Sequence, residues 1–195
     1  MIRKAEPKEA ERVAAILAAA MTDDPVAIWL LHGRDARQRR LQIMFEAVVR
    51  RALRDPDHEV HIDGDGSGAA LWYGIHRWAV PTKDEVRLLP AMLRAGFVSA
   101  RALRVNAMMK KSHPREEHYY LEVLGTLPQY QGRGIGSALL GAVLDRCDAD
   151  GVPAYLENSN PRNESFYARH RFEAMPSLTL PEGCPLLVPM WRRAA

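Results

Sequence analysis

A chain of 195 residues, 47% hydrophobic and 26% charged, is long enough to bury a core and too apolar to stay disordered. Its net charge of +3 is compatible with an anionic ligand but too small and scattered to argue for nucleic acid. Cys147 and Cys184 form no C-x-x-C pair, and the opening MIRKAEPKEAERVA lacks the continuous apolar segment of a secretory signal. The longest apolar run, Val13 to Met21, is about half of the ~20 residues a spanning helix needs. These features lead to the expectation of one cytoplasmic domain over residues 1–195, with no membrane or nucleic-acid partner.

In chain order, Ile2 to Ala5 reads as a short strand, and Pro7 stands where a helix can start. Val13, Ile16, Leu17 and Ala20 recur at helical spacing until Asp23-Asp24-Pro25 breaks the pattern. A second helical run from an Asp35 cap carries Leu41, Met44, Phe45, Val48, Val49 and Leu53, and stops before Pro56. His58 to Asp63 and Ala69 to Val80 read as a hairpin joined through Gly64-Asp65-Gly66. Thr82 to Lys111 reads as two helices meeting near Gly96. His118 to Gly125 is the central strand. A helix follows to Gly151-Val152-Pro153, and Ala154 to Glu157 is the next strand, expected parallel with a right-handed crossover. A short helix from Pro161 to His170 and a closing hairpin (Phe172 to Leu180, Leu186 to Trp191) complete a mixed sheet of the α/β or α+β class.

The stretch YYLEVLGTLPQYQGRGIGSALL, Tyr119 to Leu140, runs from a buried strand through a glycine-studded loop into a helix. Free N–H groups at a helix start, together with the helix dipole, make a site for phosphate oxygens. Gly132, Gly134 and Gly136 leave room for an anion to approach the backbone. A Walker loop needs a lysine that is absent here. A dinucleotide G-x-G-x-x-G fails as well, because Ser137 or Leu139 falls at the third glycine position. A glycine-rich turn without a ligand is the bland alternative.

Gln131-Gly132-Arg133-Gly134-Ile135-Gly136 resembles the Q/R-x-x-G-x-G/A signature of the GNAT-type N-acetyltransferases. The likeness extends over residues 113–172 in element order, in the Pro128 turn and in Asn163…Phe166-Tyr167. Toward the C-terminus, Gly151 to Glu157, Pro161-Arg162-Asn163 and Leu180 to Gly183 are similar to the puromycin N-acetyltransferases within that family. The resemblance implies a sheet with antiparallel N-terminal strands and a splayed parallel pair. It also implies acetyl-CoA as co-substrate and a small-molecule amine as acceptor, and it admits a homodimer, common among such proteins. By the same resemblance Leu124, Gly125 and Thr126 hold the pantetheine arm. Gln131, Gly132, Arg133, Gly134, Ile135, Gly136 and Ser137 hold the pyrophosphate, and Asn163 lies near the arm.

Acetyl transfer to an amine needs a neutral nucleophile, donors for the developing oxyanion and a proton for the thiolate. Tyr167 lies four residues after Asn163 and so on the same helix face; composition alone reads it as a core tyrosine beside Phe166, and the family resemblance makes it the expected general acid. Glu122 interrupts an apolar strand and Glu157 ends the neighbouring one. Either can be the base or only a structural ion-pair partner, and Glu122 is ranked first. His113 and His118 are read as packing or surface residues. No spacing of His, Cys and carboxylates suggests a metal. Neither cysteine offers an acyl-enzyme nucleophile, which favours direct attack in a ternary complex. The resemblance places Trp29, Trp72, Tyr73, Trp78 and Met108 in segments on the acceptor side, and most of them are read as core. Arg171 stands where the family has a helix-ending glycine, so either the left-handed turn persists at a cost or the helix end is remodelled. The competing readings are a peptide or protein amine as acceptor, or a non-catalytic acyl-CoA-binding regulator.

Overall fold

The computed structural model describes residues 1–75, 77–79, 81–178 and 182–195. Among them seven strands form one sheet: β1 (Ile2–Lys4), β2 (His58–Asp63), β3 (Gly68–Tyr73), β4 (Tyr119–Thr126), β5 (Ala154–Asn158), β6 (Glu173–Ala174) and β7 (Val188–Arg192). Their order across the sheet is β1-β2-β3-β4-β5-β7-β6. Every neighbouring pair is antiparallel except β4–β5, so the expected mixed sheet with one parallel crossover is observed. The helices are α1 (Ala10–Met21), α2 (Pro25–Leu30), α3 (Arg34–Ala52), α4 (Thr82–Ala95), α5 (Ala100–Ser112), α6 (Ile135–Asp150) and α7 (Glu164–Arg169).

Strand alternation divides the core into two layers. Val60, Ile62, Leu71, Tyr73, Tyr120, Val123 and Tyr155 pack on one face against Val13 and Leu17 of α1 and Leu41, Phe45 and Val49 of α3. Ala70, Trp72, Leu121, Leu156 and Met190 pack on the other against Leu139, Leu140, Val143, Leu144 and Cys147 of α6 and Tyr167 of α7. Each large apolar side chain so buried contributes about 2 kcal/mol of transfer free energy.

Several boundaries differ from the periodicity reading for local reasons. Helix α3 starts one residue before Asp35, with Gly33 (φ 74°) at the N-cap and no side-chain cap. Asp35 serves instead as an acidic residue in the first turn, where the dipole favours it. Strand β3 ends at Tyr73 because Gly74 turns away to donate its N–H to the Asp57 carbonyl at 2.8 Å. A Cβ on Gly74 would lie 2.3 Å from that oxygen. Val80, the expected end of this strand, lies outside the described residues, as do Thr179, Leu180 and Pro181 of the closing hairpin. What remains of that hairpin is β6, two residues long, on β7. Gly96 (φ 80°) ends α4 as expected, and Asp24 caps α2 by accepting from the Val26 and Ala27 N–H groups at 2.9 and 3.2 Å.

Arg171 keeps the left-handed turn (φ 65°), and is the one non-glycine residue with positive φ among the described residues. The Phe172 N–H donates to the Tyr167 carbonyl at 3.2 Å, so the helix end is not remodelled. A side chain in this conformation costs about 1–2 kcal/mol. The half-exposed Arg171–Asp148 ion pair (2.9 Å) returns less than that. Arg171→Gly is therefore expected to gain up to about 1 kcal/mol. A urea midpoint at or below that of the parent would show that the ion pair outweighs the strain.

Candidate active site

Strand β4 passes into α6 through a glycine-rich loop. Gly132 (φ 75°) and Gly134 (φ 79°) are left-handed, and where each would carry a Cβ there is open space. The first helical bond of α6 runs from the Ala138 N–H to the Gly134 carbonyl, 3.0 Å. The N–H groups of residues 132–137 have no acceptor among the described residues. Unpaired donors, the positive end of a 16-residue helix and an unobstructed approach together fit a phosphate group. Gly136 has a different job: a Cβ there would meet the Phe166 ring at 3.2 Å, so its smallness lets α7 pack close. Gln131 donates to the Thr126 carbonyl at 3.3 Å, closing the loop on itself. The exposed Arg133 lies over the Tyr130 ring, 5.3 Å from its centroid. Ser137 Oγ is 3.0 Å from His170 Nε2, a partner not anticipated from sequence; burial lowers the His170 pKa and favours its neutral ring.

Beside the loop the sheet opens. Strand β4 pairs with β5 only over Tyr119–Leu121 and Ala154–Leu156. Beyond that point β4 continues to Thr126 on β3, while β5 continues to Asn158 on β7. The edges of residues 122–126 and 157–158 therefore face each other without a ladder between them. The register of β3 against β4 shifts at the same point: Leu71 opposes Val123 and Trp72 opposes Leu121, leaving Glu122 as the extra residue of a bulge. The bulge reverses the alternation of side chains. Leu121 and Leu124 consequently share the α6 face, and Tyr120 and Val123 share the α1/α3 face. Thr126 turns toward Gly136, and Gly125 fits against Leu17 and Ala20 of α1, where a Cβ would lie 2.6 Å from Ala20.

Glu122 is reached by solvent although protein surrounds it, as befits a side chain lining an open cleft. Desolvation raises its carboxyl to about 7, assisted by the negative charge of Glu157 and opposed by a hydrogen bond from Tyr120 and by the Arg51 guanidinium. Glu157 is 3% exposed at the side chain, with Oε1 3.6 Å from His113 Nδ1. His113 Nε2 lies 2.9 Å from His118 Nε2, and His118 Nδ1 lies 2.6 Å from the Glu116 carbonyl. Trp78 stacks on His113 at 3.8 Å. The two histidines that sequence reading left as packing residues thus form a buried pair leading to Glu157. Tyr120, Glu122 and Glu157 are brought together by the parallel register of Tyr120 with Tyr155.

Tyr167 stands on the other face of the sheet, 8% exposed, its hydroxyl without a hydrogen-bond partner among the described residues. Burial, and secondarily the Asp24 carboxylate, raise its pKa and keep it protonated. Asp24 accepts a hydrogen bond from Ser159 Oγ at 2.5 Å, which ties the start of α2 to the end of β5. Asn163 is exposed at the N-cap of α7, one turn before Tyr167. Of the aromatic residues assigned to the acceptor side, Tyr73 shares the face of Glu122, whereas Trp72 packs under α6. A cavity of about 480 Å³ is lined by Met108, Lys111, Ser112, Met175, Leu178 and Pro189, among others, and Pro189 is the cross-strand partner of Glu157. Among the described residues no cluster of His, Cys, Asp and Glu could hold a metal, and no helix is long and apolar enough to cross a membrane.

Comparison with known proteins agrees with this architecture. Residues 69–172 match the Acetyltransferase (GNAT) family, and the chain belongs to that family; it is an acyltransferase. It is 27% identical, over 91% of its length and 76% of the relative's, to the uncharacterized N-acetyltransferase C550.08 of Schizosaccharomyces pombe. Among solved structures it is similar to histone acetyltransferase HPA2 and related acetyltransferase from Corynebacterium glutamicum (TM-score 0.74, 22% identity, 100% of this chain and 96% of that one). It is also similar to the PaiA N-acetyltransferase of Thermoplasma acidophilum in complex with coenzyme A (TM-score 0.59, 12% identity, 99% and 98% covered). At these identities the two structures speak for the fold.

Proposed function

We propose that the protein is an acetyl-CoA-dependent N-acetyltransferase that acylates the primary amine of a small molecule by direct attack in a ternary complex. The observation that carries this reading is the wedge between β4 and β5, with the anion cradle at one end and Glu122 in its wall. Acetyl-CoA supplies an activated acetyl thioester; the PaiA relative is a structure with coenzyme A in place. Here the free N–H groups of residues 132–137 and the loop residues Gln131, Gly132, Arg133, Gly134, Ile135, Gly136 and Ser137 would hold its pyrophosphate. Leu124, Gly125, Thr126 and Asn163 would line the pantetheine arm. Glu122 takes a proton from the ammonium of the acceptor, for which a carboxyl near pH 7 is matched. Tyr167, kept protonated, holds the proton required by the leaving sulfur.

Direct attack is supported by the state of the thiols: burial pushes Cys147 up to about 12, far from a reactive thiolate. For the acceptor, a half-open groove walled by Met108, Met175, Leu178 and Pro189 lies next to the wedge, Pro189 being the cross-strand partner of Glu157. The whole chain, residues 1–195, is read as one domain organised on one sheet.

The test is thiol release from acetyl-CoA with a panel of small amines, puromycin among them, and a lysine peptide. Release stimulated by a small amine supports the reading. Coenzyme A binding without stimulated release by any amine would overturn it, and release with the peptide alone would move the acceptor to proteins. In the active system Tyr167→Phe is expected to lower kcat by about 100-fold while leaving coenzyme A binding within a factor of two or three. Equal turnover would remove Tyr167 as the acid.

A further inference from the structure

Across loop residues 131–137 the one side-chain hydroxyl belongs to Ser137, and it already has a partner. Its Oγ lies 3.0 Å from Nε2 of His170, a residue outside the loop. His170 ends α7, and its backbone is held on both sides. Its N–H donates to the Tyr167 carbonyl at 2.9 Å, and its carbonyl accepts from Arg192 Nε at 3.1 Å. Phe166 stands edge-on to the imidazole, 5.2 Å between centroids, and the same ring closes on Gly136. The imidazole is thus brought to the first turn of α6 by a fixed piece of backbone.

A hydroxyl has one proton to give. If Ser137 gives it to a bare Nε2, only oxygen lone pairs are left to meet an anion on the loop. If Nε2 carries hydrogen and donates to Oγ, the hydroxyl proton is released to point at the anion. A diphosphate on the free N–H groups of residues 132–137 therefore selects a ring with hydrogen on Nε2. The neutral Nε2–H tautomer and the imidazolium both meet that demand, and charge decides between them. Without a ligand, burial and then the positive charges of Arg169 on α7 and Arg192 on β7 favour the neutral ring. Asp148 of α6 is engaged by Arg192 and Arg171, and Arg133 of the loop lies over Tyr130. A diphosphate adds the negative charge this surrounding lacks, and an opposite charge close by favours the charged form.

We propose that His170 is a positioning residue of the coenzyme site: through Oγ of Ser137 it aims a hydroxyl proton at the diphosphate, and it takes up one proton as the coenzyme binds. The inference rests on the reading of the loop as a coenzyme A cradle. The proton comes from solvent, which reaches the partly exposed ring, and returns there when the coenzyme leaves. One N–H bond of the imidazole forms on binding and no other bond changes. Coenzyme affinity is then linked to pH, and by reciprocity the coenzyme moves the titration of His170.

The experiment follows His170 directly. In protein labelled on the histidine rings, the NMR signal absent from His170→Gln belongs to this residue. Its titration midpoint is expected to rise by about one pH unit when coenzyme A saturates the protein. Relative to His170→Gln, the parent should then bind coenzyme A about tenfold more tightly at pH 5 than at pH 8. Glutamine keeps a donor near the place of Nε2 but does not titrate. The comparison therefore cancels the titrations of Glu122 and of the coenzyme's own 3′-phosphate. In Ser137→Ala the rise should shrink, because the hydroxyl between ring and anion is gone. A midpoint unmoved by coenzyme A overturns the proposal; a neutral tautomer or simple packing would give that result. The same pH dependence in parent and His170→Gln also overturns it, and a full rise in Ser137→Ala overturns the part given to the hydroxyl. Failure of the parent to bind coenzyme A would refute the cradle reading itself. Urea midpoints identify any variant that is unfolded. Should His170→Gln be one, the histidine signal displaced in Ser137→Ala identifies the ring.

Discussion

Glu122→Gln is expected to lower kcat for the acceptor amine by about 100-fold to 10,000-fold, the range that positioned acid–base groups contribute. The parent should lose activity as pH falls through about 7, because the proposed base must be ionised and its carboxyl is held near that value. The Glu122→Gln variant should lack this limb. The sign of a second change follows from the same causes. Glu157 raises Glu122 through its charge, so Glu157→Gln should move the acid limb to lower pH. Measuring kcat against pH with several amines of different basicity separates the enzyme's group from the substrate's. A limb that tracks the amine, or survives in Glu122→Gln, would refute Glu122 as the base.

The second large effect concerns the C-terminal strand. Asp148 of α6 accepts two hydrogen bonds from Arg192 of β7 (2.8 and 2.6 Å), one from Arg171 (2.9 Å) and one from the Ala195 N–H (2.8 Å). The Arg192 side chain is only 3% exposed, so Asp148→Ala leaves a buried guanidinium with little besides its bond to the His170 carbonyl. Removing one partner of a buried pair costs about 3–5 kcal/mol; with Asp148 itself partly exposed, a loss of about 3 kcal/mol is expected. Replacing both partners, Asp148→Ala with Arg192→Leu, should recover much of it, because no uncompensated charge remains. The carboxyl of Asp148 is lowered to about 2, first by its hydrogen bonds to Arg192. A lowered carboxyl stabilises the fold fully above the unfolded value, about 3.9. That contribution is lost as pH falls from there toward 2. Urea unfolding of parent and single variant at pH 7 and pH 2.5 tests both statements: the difference between them should shrink at the lower pH, and a constant difference would contradict the linkage.

Much of this was legible along the chain because it depends on near neighbours. The helical stripes of α1 and α6, the glycine ends of α4 and α6, and the cradle of Gly132 and Gly134 follow from spacing and from backbone conformations that glycine permits. Arg171 was visible as an anomaly, and only its outcome needed coordinates. The closing hairpin was overestimated in length because apolar composition marks burial without marking which neighbour a strand finds. Tyr120 was passed over as one more apolar-strand residue, and His113 and His118 as two isolated rings. Nothing local says that Tyr120 aligns with Tyr155 across a parallel pair, or that Trp78 closes over His113.

The acetyltransferase family, the order of elements and the glycine-rich loop ahead of α6 were readable along the chain, since these rest on short-range backbone preferences and a contiguous motif. Folding in three dimensions was needed to part β4 and β5 after three paired residues and to reverse the strand's faces at the Glu122 bulge. It also brought Glu157 beside the buried pair of His113 and His118. Register between distant strands is set by the joint packing of both sheet faces, and the electrostatics of a carboxylate by whatever that packing brings beside it. Neither quantity is a property of the residue or of its neighbours in the chain.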